Sequence, residues 1–197
     1  EYNGYGPFTG KENIRASFSD ISGPYAAKKS MYYAGDDTNK GTGGWGQQRS
    51  GINYHIIRYA DVVLMAAEAA VETGSLETAR GYVNQVRQRA IDGPRADSSP
   101  NYSISTYGSA WTDQSVARKA VRFERRLEMG MEGGRLFDLR RWNVMEQTLN
   151  AYISNEGRTI PTFASRAASV QSKHKALPIP TEAIDNSQGA LTQNPGY

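Results

Sequence analysis

Cysteine is absent from the 197 residues. That excludes disulfides, thiolate metal sites, a cysteine nucleophile and a lipid anchor on any cysteine of this chain. Histidine is nearly absent too. His55 and His174 lie far apart and no Gly-x-Ser-x-Gly sequence accompanies them, which argues against a serine–histidine triad or a multi-histidine metal site. No run approaches the roughly 20 consecutive apolar residues that a membrane-spanning helix needs. Neither sign of charge dominates: 23 Lys and Arg oppose 20 Asp and Glu, for a net charge of +3. That imbalance is too weak to argue for a nucleic-acid partner. Hydrophobic residues make up 38% of the chain, enough to bury a core, while a mean hydropathy of −0.64 points to a large share of polar loop. The length allows one ordinary domain or part of a larger one.

Composition changes along the chain. Residues 1–54 carry ten of the 20 glycines and six of the 12 tyrosines. Glycine has more conformational freedom to lose than any other residue, so this zone reads as loops with at most one short helix near Lys11–Phe18. From Tyr54 the pattern turns helical. Between Ile56 and Val71 the polar side chains are Arg58, Asp61 and Glu68, which with Glu72 fall in a stripe of about 80° at helical spacing. The rest of that helix is apolar, so it is expected to have neighbours on several sides. Gly74 suits a left-handed helix end, and Ser75 can cap the next helix. Over Leu76–Ala90, Leu76, Ala79, Val83, Val86 and Ala90 recur on one face opposite Glu77, Arg80, Arg87 and Arg89. Residues 55–90 therefore read as an antiparallel helical hairpin, with small alanines where the helices meet.

Residues 91–112 form a second loop zone, punctuated by Gly93-Pro94, Ser99-Pro100 and Gly108. Helicity is expected again over 113–149, capped by Thr112 or Asp113. There Val116, Ala120, Phe123, Leu127 and Met131 recur at spacings of four and three, and after Gly133-Gly134 a further helix carries Leu136, Phe137, Leu139, Trp142, Met145 and Leu149. Residues 150–197 read as an irregular tail. In it Leu177-Pro178-Ile179-Pro180 is extended, because proline disfavours the helical region in its predecessor, and Asn194–Tyr197 forms a turn. No second hairpin repeats at a fixed period. The fold class is mainly α: a helical hairpin plus further helices joined by long irregular loops.

Gly41-Thr42-Gly43-Gly44-Trp45-Gly46 matches the G-x-G-x-x-G pattern. A dinucleotide site, however, needs a strand before it and a helix directly after it, and the polar run Asp36–Lys40 precedes it instead. It reads as a glycine-rich loop displaying Trp45. Asp36-Asp37-Thr38-Asn39 offers oxygen ligands without the spacing of an EF-hand loop, so neither metal nor cofactor is expected. Loop aromatics are the candidate ligand platform, because indole and phenol rings stack on the apolar C–H faces of sugars. They are Tyr32, Tyr33 and Trp45 in the first loop zone, and Tyr102, Tyr107 and Trp111 in the second, with loop packing as the competing role. Tyr82 and Trp142 sit at helical core positions and read as structural.

Charged residues gather in the helical zones: Arg58, Asp61, Glu124, Arg125, Arg126, Glu128, Glu132, Arg135, Asp138, Arg140 and Arg141. Arg58–Asp61 and Arg135–Asp138 have the i,i+3 spacing that brings opposite charges together on a helix. The set reads as a structural ion-pair network with planar guanidinium groups facing carboxylates, rather than as a catalytic or anion-binding cluster. A glycoside hydrolase usually needs two carboxylates about 5–10 Å apart, and spacing along this chain singles out no such pair. An enzyme is not expected.

Several of these segments together resemble the SusD/RagB family of nutrient-binding proteins. Arg58–Ala69 (RYADVVLMAAEA) is similar to the family's signature helix. Gly74, Ala79, Tyr82 and Asn84-Gln85-Val86-Arg87 continue it. Glu124-Arg125-Arg126, Glu132-Gly133-Gly134-Arg135, Asp138–Trp142 and the closing Leu177–Pro180 with Gln193–Tyr197 follow in the family's order. The resemblance implies a helical, tetratricopeptide-related fold and a non-catalytic surface lipoprotein of the bacterial outer membrane. Such a protein captures an oligosaccharide or polysaccharide, sometimes a peptide, for a TonB-dependent transporter. It also implies that this chain is the C-terminal part of a longer protein, with an N-terminal half and an acylated cysteine upstream. The alternative function is a tetratricopeptide-type protein-interaction module, gripping a partner through exposed Arg80 and Arg87.

Overall fold

The computed structural model describes Lys29, residues 52–93, residues 104–159, Ser165 and residues 167–197. Two compact units divide the chain, Asn53–Arg135 and a second that includes Leu136–Tyr197. The described residues are helical and contain no strand.

The first unit is built on α1 (Tyr59–Glu72), α2 (Leu76–Asp92) and α3 (Gln114–Glu128). Between α1 and α2 the chain reverses at Gly74, whose φ of +81° is the left-handed conformation that glycine adopts without penalty. Ser75 N–H donates to the Ala70 carbonyl at 2.8 Å and Gly74 N–H to Val71 at 3.1 Å, so two otherwise orphaned carbonyls at the helix end are satisfied. Ser75 occupies the capping position of α2 without a side-chain hydrogen bond. At α3 Asp113 is the cap, its carboxylate accepting from Ser115 N–H at 2.7 Å and Val116 N–H at 3.0 Å.

The core of this unit is small-residue packing. Ala67, Ala79 and Ala117 have no exposed surface, and Leu64, Val71, Val83 and Val121 fill the space between them. Each of those larger side chains contributes about 1.5–3 kcal/mol by leaving water, and the alanines set how closely the helix axes approach. Trp111, from the loop before α3, completes the cluster, with Tyr82, Tyr107 and Ala120 packed against it.

Two expectations for this unit are corrected. Helix α1 begins at Tyr59, after an extended approach that ends at Arg58 (φ −108°, ψ 149°), so Ile56 and Ile57 are exposed and precede the helix. Helix α1 does have neighbours on more than one side, as its sequence predicts. It packs on α2 and α3, while Tyr59, Val62 and Met65 stay open to solvent. On α3 the apolar stripe Val116, Phe123, Leu127 and the following Met131 is likewise exposed. The helix turns Ala117, Val121, Glu124 and Arg125 inward instead, because small side chains permit the close approach and the two buried charges find partners there.

In the second unit, α4 (Arg135–Arg141) and α5 (Met145–Thr159) replace the single helix expected up to residue 149. The break is Asn143, at φ +56°. Val144 N–H closes back on the Leu139 carbonyl and Asn143 N–H on Arg140, both at 3.0 Å, with asparagine in the left-handed position that glycine filled after α1. Leu139 and Met145, one on either side of the break, are buried. Helix α5 then runs ten residues beyond Leu149, so the tail is less irregular than its composition implies. It also contains a 3₁₀ turn at Ser172–Lys175 and α6 (Thr181–Asn186). The Leu177–Pro180 stretch is non-helical, and the Gln193 side chain brackets Ile179, accepting from its N–H at 2.8 Å and donating to its carbonyl at 2.9 Å. The closing turn returns Tyr197 N–H to the Asn194 carbonyl at 3.3 Å around Gly196 at φ +94°.

Candidate functional site

Apart from Glu77–Arg80 within α2, the ion pairs described in the first unit run between elements rather than along one helix. Arg58, at the entry to α1, forks onto two carboxylates. Its Nη1 donates to Glu128 at 2.7 Å, and its Nε and Nη2 donate to Glu132 at 2.9 and 2.8 Å. Arg89 of α2 reaches the same Glu128 at 2.8 Å, so one carboxylate at the end of α3 ties both helices of the hairpin. Asp61 accepts from Arg125 at 2.7 Å. Glu124, the residue before Arg125, turns the other way and accepts from Arg87 of α2 at 2.7 Å. Arg118 completes the set with a two-pronged bond to Glu72 at 2.6 and 2.7 Å.

Position along the helix explains why two of these charges are interior. Glu124 continues the 117–121 register on the inner face of α3, with Arg125 one residue on, and both are buried. A buried charge is tolerated only when an opposite one meets it. The i,i+3 reading of Arg58–Asp61 is corrected accordingly, since the two go to different partners on α3 and the turn after it. In the second unit Asp138 is buried and bound to Arg141 at 2.9 Å, and the Arg141 guanidinium also covers the Trp142 ring at 4.8 Å. Arg135 opens α4, half-buried, and Arg126 is exposed. Arg87, Arg89, Glu72 and Arg118 were missing from the sequence-derived set. The signal that could have found Arg87 is its position one residue beyond buried Val86.

These pairings move proton affinities in the direction that strengthens the clamp. Hydrogen bonding from Arg118 holds the Glu72 carboxyl below the usual carboxylate range. Arg80, and then the Trp111 N–H, do the same to Glu77. Glu132, more than Glu128, raises the affinity of the Arg58 guanidinium for its proton. Carboxylates already facing arginines are poor general acids or bases, and the arrangement acts as a brace.

The aromatic candidates divide. Tyr32, Tyr33, Trp45 and Tyr102 lie outside the described residues. Tyr107 and Trp111 pack edge to face with ring centroids 5.3 Å apart, and Trp111 is 9% exposed within the core cluster. Arg87 lies over the Tyr107 ring at 4.8 Å. Asn84 exchanges two hydrogen bonds with the Tyr107 backbone, and Glu77 accepts from Trp111 N–H at 2.6 Å. Trp111 therefore has no free ring face for a sugar to stack on, a correction to its place on the platform, and Tyr107 is largely engaged in the same packing. The exposed role expected for Arg80 and Arg87 is corrected too. Arg80 binds Glu77 and the Tyr107 carbonyl, and Arg87 binds Glu124 and the Ser105 carbonyl.

One open groove of about 460 Å³ lies along the start of α1 and the adjoining face of α2. Ala60, Val63 and Val86 contribute apolar surface, and His55, Tyr59, Gln85 and Arg89 join them.

Comparison with known proteins agrees with this architecture. The SusD family pattern matches residues 5–197. Over 179 residues the chain is 29% identical to SusD-like protein P2 of Formosa agariphila, covering 90% of this chain and 31% of that protein. A second relative, SusD-like protein P25 of the same organism, is 30% identical over 132 residues, or 67% of this chain and 22% of that protein. Among solved structures, a SusD homolog from Bacteroides thetaiotaomicron superposes with a TM-score of 0.61 at 28% identity, over 80% of this chain and 30% of the other. A SusD superfamily protein from Bacteroides vulgatus does so with a TM-score of 0.57 at 32% identity, over 77% of this chain and 29% of the other. The chain thus spans less than a third of the length of each of these relatives. Helix order, the braced hairpin and the ordered motifs converge on one conclusion: the chain belongs to the SusD family, with that family's helical, tetratricopeptide-related fold.

Proposed function

We propose that this chain is part of a surface glycan-binding protein of the bacterial outer membrane, lipid-anchored through a cysteine upstream of Glu1. It captures an oligosaccharide or polysaccharide and passes it to a TonB-dependent transporter without breaking a bond. The observation that carries this reading is family membership over nearly the whole chain. The ion pairing adds to it. Asp61, Glu124 and Glu128 are engaged with arginines between helices, which supports a scaffold role for the family motifs and leaves recognition to loops and clefts. Capture followed by handover favours modest affinity, because a ligand held too tightly is not released.

The rest of the longer protein is the first partner in this reading. Tyr59 (73% exposed), Val62 and Met65 leave a side of α1 apolar and open, and additional helices would bury it. The tetratricopeptide-type interaction module is the weaker alternative, since Arg80 and Arg87 are engaged within the chain.

Calorimetric titration of the full-length protein with a polysaccharide panel tests the proposal, together with co-purification of an outer-membrane transporter from the native host. The loop platform predicts that Trp45→Ala with Tyr102→Ala weakens binding by roughly tenfold or more. Undiminished affinity would remove those residues from the site.

A further inference from the structure

A cleft in the second unit has the donor and acceptor set for a hydroxyl-rich ligand. Its volume is about 430 Å³, and it is lined by Asn143, Glu146, Gln147, Asn150 and Lys175. Three separate elements converge there: the left-handed corner after α4, one face of the first turns of α5, and the end of the 3₁₀ turn.

The walls are held in place by bonds that leave other groups available. Asn150 uses its whole amide on Val170, donating to the carbonyl at 2.9 Å and accepting from the N–H at 2.8 Å. That fixes the segment leading into the 3₁₀ turn against α5. Lys175 donates to the Asn143 side-chain oxygen across the cleft, which orients the asparagine amide group and leaves the ammonium with further protons to donate. Glu146 and Gln147 are exposed and engage no side chain among the described residues. The cleft thus presents carboxylate and amide oxygens as acceptors, and amide and ammonium protons as donors, with no apolar side chain among its described lining residues.

We infer that this cleft is a subsite for the hydroxyl edge of a neutral saccharide. The inference rests on the glycan-binding reading above and adds a ligand class to it. Vicinal hydroxyls both donate and accept, so they can use Glu146 as acceptor and Lys175 as donor at once. The charge balance selects against acidic sugars. Glu146 offsets Lys175, so among the described lining residues a uronate or sulfate would meet a carboxylate with no surplus cation to offset it. With no ring among its described lining residues, the cleft grips an edge of the sugar and not its stacking face, which suits a position beside an aromatic platform and not a replacement for it.

The test is calorimetric titration of the full-length protein with neutral polysaccharides (laminarin, galactomannan, starch) and acidic ones (alginate, pectin). The wild type is expected to bind at least one neutral polysaccharide in preference to the acidic ones. Glu146→Ala combined with Gln147→Ala is expected to weaken that binding about tenfold, with an unchanged circular dichroism spectrum because both side chains are exposed. Lys175→Met, measured separately, is expected to weaken it in the same direction. Wild-type affinity in both variants, or binding confined to alginate and pectin, overturns the cleft assignment and leaves the glycan-binding reading standing. Absence of binding to every polysaccharide by the wild type overturns both.

Discussion

Replacing Glu124 tests the brace most sharply, because its carboxylate is bound by a single arginine at a site closed to water. The Glu124 side chain is 5% exposed and that of Arg87 is 13%, with 2.7 Å between them. At an effective dielectric of about 20, two charges at that separation attract by roughly 6 kcal/mol. Removing both ions from water costs several kcal/mol each, so the intact pair adds little net stability. Removing one partner is a different matter. Glu124→Ala leaves the Arg87 guanidinium desolvated and opposed, among the described residues, only by the Ser105 carbonyl and the Tyr107 ring, an expected loss of about 3–5 kcal/mol. In a chain of this size that lowers the melting temperature by roughly 6–20 °C. Glu124→Gln keeps an oxygen in place for the hydrogen bond but still removes the countercharge, so its loss is expected to be smaller than that of Glu124→Ala and not negligible. Circular dichroism melts and a double-mutant cycle with Arg87→Ala read both quantities. A Glu124→Ala protein within 1 kcal/mol of wild type, or a cycle with no coupling, would refute the claim that this is a buried, mutually dependent pair.

Three further outcomes are expected. Trp111→Ala should destabilise the protein by about 3–5 kcal/mol in denaturant titration by opening a cavity in the core cluster; a neutral effect would mean the ring is not packed as described. Gly74→Ala should cost about 1–2 kcal/mol through backbone strain alone, since nothing lies within 4 Å of the added methyl group. Unchanged chemical denaturation would contradict the left-handed assignment. The third concerns pH. Because the Glu72 and Glu77 carboxyls are depressed in the folded state, their contribution is fully present above the ordinary carboxylate range and is lost as pH falls through it, below about 4.3. The double variant Glu72→Gln/Glu77→Gln should therefore show a shallower acid limb in a stability-against-pH profile, and a limb as steep as that of wild type would count against the two ion pairs.

Sequence periodicity located the hairpin because α1 and α2 obey it simply: alanines and valines at helical spacing mark the contact, and Gly74 marks the reversal. It failed on α3 for a physical reason. Val116, Phe123 and Leu127 make the more hydrophobic stripe, yet close packing against the hairpin selects Ala117 and Val121, and a charge with a partner can occupy the same face. Nothing local to Glu124 reports that Arg87 lies opposite. Asn143 hid the break between α4 and α5, since asparagine enters the left-handed region less often than glycine and apolar residues continue on both sides. Trp111 illustrates the limit of composition: a tryptophan in a polar loop reads as a displayed ring until the fold turns it inward. The polar cleft left no sequence signal, because Asn143, Glu146 and Lys175 come together only through the corner after α4 and the clamp of Asn150 on Val170.

Capture without chemistry is the central claim, and equilibrium dialysis of the full-length protein against labelled polysaccharides, followed by sizing of the recovered glycan, addresses it most directly. Saturable retention of at least one polysaccharide, returned at its original chain length, is the predicted result. Shortened chains, or no saturable retention of any polysaccharide, would contradict it.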